Sequence, residues 1–594
     1  MDQLVRRAYA PIAAALTLLV ISAPALSAQD AVALRAGETR TATVAAGDTL
    51  RYSLDTQPEW YVRASVEQVS ARVAVRIVRP DDTQLRRVDQ RRRGLERFWF
   101  ETEQEGAYQL QVIPVDDEEG EFRIEIERLE PFATDPEALA EQILSFYDGP
   151  DSPGAGVRVW RDGRTLYSRT GGMANLAYGV PFRDDNPTNI GSTSKQFTGF
   201  AVMLLVERGL VSLDDDVREY VPELPDFGQT VTVRHLLVHA SGYREIYNLL
   251  IMAARRFFEG DAVSRDEIIQ VVQRQPALQN DPGAEWNYNN TAYGLAALVV
   301  ERVSGQSFDA FMAEHVFGPL GMTRSAVRPH TAAIIPGRTM GYAPDEAGGY
   351  QEMRDLGASV GAGAVYASLE DLQTWVENYH SPRVGTRETM EQMMTPFVTT
   401  QGDTTSYGLG LMIDEQGGLK RIHHGGADVA HRSMLAYYPE IGAGITVQSN
   451  HSGFSSNLAF RLAGAFFADA MEEEEEAVAE EDASEEDPLE EEDEVVDEPE
   501  EWKPTPDELR TFTGRYFSEE VETFYTIAVG EDDRLVLQHR RFADSPLTPG
   551  ERDEFSASGI VSAQLSFERD RNGQILGFYM SNQRSRDVRF QQIR

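Results

Sequence analysis

The stretch Ile190-Gly191-Ser192-Thr193-Ser194-Lys195 opens an apolar-periodic run that reads as a helix from Thr193 to Leu210. Ser192 and Lys195 are three residues apart, so on a helix they share one face, a turn apart. A serine in a first turn meets unpaired backbone N–H groups and the positive end of the helix dipole, which favour a developing anion. A lysine can give up its proton when desolvated and an arginine cannot, so activating the serine calls for Lys at this place. The chain otherwise avoids that residue type: it has three lysines, Lys195, Lys420 and Lys503, against 52 arginines, and neither of the other two has a serine three residues before it.

Two further elements lie downstream. Pro282-Gly-Ala-Glu-Trp-Asn287-Tyr288-Asn289-Asn290 precedes a helical run over Ala292–Val303. Tyr288 offers a phenol whose proton a neighbouring lysine could draw off, and Asn290 an amide that both donates and accepts. Arg421-Ile422-His423-His424-Gly425-Gly426-Ala427 then leads into the apolar alternation Met434–Tyr438. Adjacent glycines permit close approach to a strand edge, where a backbone N–H can stabilise an oxyanion and His424 can stand beside it as a donor.

Two competing sites are weaker. Gly357-Ala358-Ser359-Val360-Gly361 fits the Gly-x-Ser-x-Gly elbow, but Gln351–Leu356 does not read as a strand and the next helix begins only near Ser368, with Asp371 completing a capping box. His235 and His239 have the i, i+4 spacing of a zinc helix, yet no Glu follows His235 and no acidic ligand stands nearby, so a structural role is expected.

Taken in this order, the three elements resemble the penicillin-recognising serine hydrolases of the class C β-lactamase type, over roughly residues 133–470. Flanking stretches share the resemblance: 156–163, Ala174-Asn175-Leu176, Val231–Gly242, Phe317–Met322 and Gly361–Tyr366. It implies a mixed α/β catalytic fold with Ser192 as nucleophile, Lys195 as its activating partner and Tyr288 as a shared general base and acid. It further implies that Asn290, His424, Gly425 and Gly426 bind substrate and that the N–H groups of Ser192 and Ala427 form the oxyanion hole, with no metal or organic cofactor. One departure matters: β-lactamases of this type carry Lys-Thr-Gly where this chain has His424-Gly425-Gly426, replacing a fixed charge with a mostly neutral imidazole. The resemblance therefore points to the esterase and D-aminopeptidase-like branch.

The rest of the chain reads as modules around that core. Residues 1–28 have the basic start, short apolar stretch and small residues of a Sec-type signal peptide, which implies a bacterial periplasmic or secreted protein without a retained membrane span. Short alternating runs over 30–130 suggest an antiparallel β-sandwich, in which Trp60, Tyr61, Phe98 and Trp99 are expected in the core. It is similar to the pre-peptidase C-terminal type of sandwich on secreted hydrolases. Residues 471–503 include an acidic tract, with 20 Asp and Glu among the 30 residues from Glu472 to Glu501, and read as a solvated linker. Strand alternation returns over 504–594, as a small barrel or half-barrel. The 594 residues carry a formal charge of −42 and no cysteine, which disfavours nucleic acid as a partner and removes disulfides and thiol chemistry.

The function expected from these residues is an exported serine hydrolase that cleaves a small-molecule or peptide ester or amide through a Ser192 acyl-enzyme. The rivals are a β-lactamase or D,D-peptidase on cell-wall-like substrates, and a catalytically idle penicillin-binding-like module.

Overall fold

The computed structural model describes residues 31–89, 91, 93–115, 118–257, 260–345, 347–355, 360–472, 502–530, 534–559 and 562–593. The segment 1–28 expected to be a signal peptide, the acidic tract from 473 to 501 and Ser359 lie outside them. The chain divides into two compact units, Met1–Phe132 with Asp345–Gly349, and Ala133–Pro344 with Tyr350–Arg594.

In the first unit, strand alternation builds two sheets around one apolar core. One has the order Val32–Ala33, Leu50–Thr56, Gly106–Pro114, Val73–Val78, Gln84–Val88; the other Thr39–Val44, Gly120–Pro131, Trp60–Gln68, Gly94–Thr102. Phe122, Ile124 and Ile126 point inward from one strand and meet Val62, Ala64 and Val66 of its neighbour, as the two-residue side-chain period requires. Tyr61 and Phe98 are buried, and Trp60 and Trp99 are half-buried; Phe98 joins the apolar core, whereas Tyr61 packs on Trp99 and Phe132 rather than in it. The strand pairing is antiparallel except at Val32–Ala33, which runs parallel to Tyr52–Ser53, and Ala36 adds an isolated parallel bridge to Ile126.

The second unit is organised on a six-stranded antiparallel sheet in the order Arg164–Gly171, Ala155–Arg161, Ala443–Ser449, His431–Tyr438, Leu419–Asp428, Met412–Gln416. Every residue of Ala443–Ser449 and His431–Tyr438 is buried, because helices Pro136–Leu144, Leu369–His380 and Leu458–Phe466 cover the sheet. The helix beginning at the serine-lysine pair runs Lys195–Glu207, preceded by a 3-10 turn over Gly191–Ser194. It is buried continuously from Lys195 to Leu205, so it is a central helix rather than a surface one. Phe197 stacks on Trp375 with centroids 4.3 Å apart, and the side-chain Oε1 of the buried Gln196 accepts from Trp375 Nε1 and Tyr379 Oη, both at 2.7 Å.

Two local expectations are corrected. Ser368 Oγ accepts the Asp371 N–H at 3.1 Å, but the Asp371 carboxylate accepts from Arg324 N and Ser325 Oγ, each at 2.8 Å, and so caps a neighbouring loop rather than closing the box. Tyr350–Met353 is a strand, paired with Gly341–Pro344. Only Met353 of it is buried, so backbone pairing rather than an apolar face makes this ribbon, and hydropathy carries no sign of it.

The C-terminal segment closes into a barrel of eight antiparallel strands, from Gly514–Ser518 to Val588–Ile593, the first paired to the last through Arg515↔Ile593 and Phe517↔Gln591. Its interior is filled by side chains such as Phe512, Tyr516, Phe555, Phe578 and Phe590. Eight strands leave a lumen of about that capacity. Where the sequence separates barrel from catalytic region, the structure makes them one compact unit. Tyr525 Oη donates to Met252 O at 3.1 Å, and Arg244 Nη1 lies 3.4 Å from Glu520 in a buried pair. Burial nevertheless pushes the Glu520 carboxyl up to about 7, outweighing Arg244 and Arg274. No helix among the described residues is long and apolar enough to cross a membrane.

Candidate active site

Two glycines bring the serine turn against the sheet. Gly191 has φ +48°, and a Cβ there would lie 2.6 Å from the Ala427 nitrogen; a Cβ on Gly426 would lie 2.0 Å from the Ile190 oxygen. Backbone therefore meets backbone where Gly191–Ser192 passes the strand Leu419–Asp428, and no larger residue fits at either position. The contact is pinned by Thr193 Oγ1, which donates to His424 O at 3.0 Å, and by Ser433 Oγ, which donates to Ile190 O at 2.9 Å. Gly426 thus admits the Ile190 carbonyl, a neighbour that spacing alone does not reveal. Gly425 stands opposite Met434 in the strand ladder.

Lys195 is fully buried, and its ammonium nitrogen has three oxygen neighbours: Ser192 Oγ at 3.0 Å, Asn290 Oδ1 at 2.7 Å and Ala362 O at 3.0 Å. Burial drives the proton affinity of Lys195 well below that of an ordinary lysine; the Glu245 carboxylate opposes this and Arg584 adds to it. A neutral amine has two N–H bonds and one lone pair. The Asn290 and Ala362 oxygens can only accept, so they take the two N–H bonds and leave the lone pair facing the Ser192 hydroxyl. Ala362 belongs to the Gly361–Tyr366 stretch noted in the sequence.

Asn290 passes the network on. Its Nδ2 donates to Glu245 Oε1 at 2.9 Å, and Glu245 Oε2 accepts the Asn248 N–H at 2.8 Å, capping the helix Ile246–Met252. The barrel reaches the same residue: Ser585 Oγ accepts the Glu245 N–H at 3.0 Å and donates to the Glu245 carbonyl at 3.1 Å. Asn290, expected to orient the substrate's acyl side, has its amide committed to Lys195 and Glu245.

Tyr288 meets Lys195 through its ring, whose centroid lies 4.6 Å from Nζ. It packs in a cluster with His239, at 4.3 Å, and His424, at 6.2 Å, joined by Tyr407. His424 Nδ1 lies 2.6 Å from Gly425 O and Nε2 lies 3.0 Å from Tyr407 Oη. A carbonyl can only accept, so Nδ1 carries the proton and Nε2 accepts from the phenol. Burial, with Lys195 nearby, lowers the His424 pKa to about 3. The ring is neutral and both nitrogens are engaged within the protein, where a donor toward substrate was expected.

The two histidines with zinc spacing part company. His235 caps the helix Val233–Leu237, its Nδ1 accepting the Thr232 N–H. His239 falls beyond the helix end at φ +58° and accepts the Asn289 N–H at 2.9 Å. Among the described residues no group of three metal-ligating side chains is placed to hold an ion.

A cavity of about 250 Å³ opens beside this cluster, lined by Glu285, Trp286 and Tyr288 and by Gln583, Arg584 and Arg586 of the barrel. The Arg584 guanidinium carbon lies 4.9 Å from the Tyr288 ring centroid.

The Beta-lactamase family matches residues 143–470, more than half of the chain. The protein belongs to the Beta-lactamase family. Similar proteins include penicillin-binding protein 4* of Bacillus subtilis (strain 168), 26% identical over 291 residues, which covers 46% of this chain and 63% of that one. The D-aminopeptidase of Brucella anthropi is 27% identical over 330 residues, 55% of this chain and 61% of that one. The chain thus spans about three-fifths of the length of the curated relatives it matches. Among solved structures, the octameric penicillin-binding protein homologue from Pyrococcus abyssi is similar in fold, with a TM-score of 0.50 at 24% identity over 77% of this chain and 98% of that chain.

Within this Beta-lactamase family member, Ser192, Lys195 and Asn290 are joined directly, Tyr288 and His424 flank them by ring contacts, and Gly426 and Ala427 lie against the serine turn. Glu245, Tyr407 and Arg584 were not anticipated. Glu245 follows Arg244 in an unremarkable stretch, and only the fold brings it to Asn290. Its carboxylate favours the ammonium form of Lys195. Removing that charge in Glu245→Gln makes Lys195 easier to deprotonate, so the acid limb of a pH profile of ester kcat/KM is expected to move to lower pH. An unmoved limb in the variant would contradict this role.

Proposed function

We propose that the protein is a serine hydrolase that cleaves an ester or amide bond through an acyl group on Ser192. The observation that carries this is the set of three contacts at Lys195 Nζ, which suits a neutral amine with its lone pair on Ser192. Lys195 takes the Ser192 proton as Oγ attacks the carbonyl carbon. The oxygen of the tetrahedral intermediate meets the N–H groups of Ser192 and Ala427, which the two glycines bring together. The C–O or C–N bond then breaks and the leaving group takes that same proton back from Lys195, directly or relayed by the Tyr288 phenol, which gives one proton and receives one. Water repeats the sequence on the acyl-serine, and no net proton is left on the enzyme.

The neutral, internally bonded His424 offers no fixed cation on the strand, which favours esters and amides over β-lactams. The D-aminopeptidase relatives favour amides among these. The assembled serine, lysine and asparagine disfavour an idle module. The test is labelling with a fluorophosphonate followed by peptide mapping, with a single adduct expected on Ser192; no adduct there contradicts the proposal. Export is supported by the pattern of residues 1–28 and is tested by N-terminal sequencing of the protein from its native host. A chain beginning near residue 29 is expected, and an intact Met1 would refute cleavage.

A further inference from the structure

One wall of the cavity beside Tyr288 comes from the barrel, through the loop between strands Ile575–Ser581 and Val588–Ile593. The main chain of this loop is held firmly. Besides the paired bonds of Ser585 to Glu245, Arg244 Nε donates to Arg586 O at 2.8 Å, Gln279 Nε2 to Arg584 O at 3.3 Å, and Arg586 N to Gln279 Oε1 at 3.2 Å. The loop's position is therefore set by backbone contacts and leaves the Arg584 side chain to face the cavity.

The charges lining that cavity do not cancel. Arg586 is paired with Glu285 at 2.6 Å. Arg584 rests over the Tyr288 ring and is felt at longer range by the Glu245 carboxylate, but among the described residues no carboxylate forms an ion pair with it. A guanidinium presents a planar fork that matches a carboxylate. Stacking on an aromatic ring holds that fork in one place before any ligand arrives. Elsewhere in the site, Lys195 is engaged with Ser192, Asn290 and Ala362, and both ring nitrogens of His424 are bonded within the protein. Among the described residues, Arg584 is therefore a cation of this cavity left available to a substrate.

We propose that Arg584, supplied by the barrel, is a specificity residue that receives a carboxylate of the substrate, so that the preferred substrates are anionic esters or amides. The inference rests on the serine-hydrolase reading above and narrows its substrate class. A free ammonium group in the same cavity would meet a like charge, which disfavours it.

Two matched pairs of chromogenic esters test this on the full-length protein: mono-p-nitrophenyl glutarate against p-nitrophenyl valerate for the acyl side, and 3-carboxy-4-nitrophenyl butyrate against p-nitrophenyl butyrate for the leaving side. In at least one pair the carboxylate ester is expected to lead in kcat/KM by about tenfold or more, mainly through KM, as suits a charge-assisted pair. Arg584→Ala should collapse that ratio toward one, and Arg584→Lys should keep part of it. Equal ratios in wild type and Arg584→Ala for both pairs overturn the proposal, including the case where the variant slows all esters alike. If none of the four esters is turned over in a Ser192-dependent way, it is the serine-hydrolase reading that fails; turnover without an Arg584-dependent preference defeats only this inference.

Discussion

Ser192→Ala is expected to lower ester kcat by at least about 10⁴-fold, and to remove the fluorophosphonate adduct, with the fold intact. The side chain is half-buried in a short 3-10 turn, and its hydroxyl bonds Lys195 Nζ. Removing it leaves Lys195 with Asn290 Oδ1 and Ala362 O, enough acceptors for both N–H bonds of a neutral amine. Thr193, Ser433 and the glycine contacts that seat the turn are untouched. The loss should therefore fall on chemistry, with an unchanged melting temperature. Turnover of Ser192→Ala within tenfold of wild type would show that another nucleophile works in this protein.

Lys195→Arg carries the second large effect, a loss of about 10³-fold in kcat/KM. General-base assistance is worth roughly 10² to 10⁴ in rate, and an arginine cannot supply it because it stays protonated. The substitution supplies a fixed cation and N–H donors for Asn290 and Ala362, so it separates a base from a mere positive charge. The sign of the pH dependence follows from the burial of Lys195. Its proton affinity lies well below the ordinary 10.5, so the neutral form is populated, and kcat/KM reaches its plateau, at a pH far below that value. An ordinary lysine in the same role would hold the enzyme inactive until strongly alkaline pH. Substantial activity in Lys195→Arg, with the wild-type pH profile, would mean that Lys195 acts through charge.

The two predictions differ in how far they could be read from the chain. Ser192 and Lys195 are three residues apart, so one helical turn is enough to bring them together, and the rarity of lysine here marks the second of the pair. Tyr288 and Asn290 were legible as a local pattern, and the helix after them starts within a residue or two of where its periodicity begins. What they do was less legible. Asn290 is 95 residues from Lys195 and 45 from Glu245, and no spacing rule spans such gaps. The same holds for His424, whose second ring nitrogen is taken up by Tyr407, 17 residues earlier but on a different segment of the fold. The strand Tyr350–Met353 escaped for another reason: a ribbon held by backbone bonds with one buried residue leaves little hydropathic trace.

By itself the sequence determined the pairing of Ser192 with Lys195 and the alternation of the sandwich and barrel strands, because these depend on neighbours within a turn or along a strand. Only the tertiary structure decided that Gly426 makes room for Ile190, that Glu245 stands behind Asn290, and that the barrel loop brings Arg584 to Tyr288. Arg244 and Arg586 meet across 342 residues. Such contacts arise from how layers pack and strands register, and a charge acquires its role from the groups that packing sets around it.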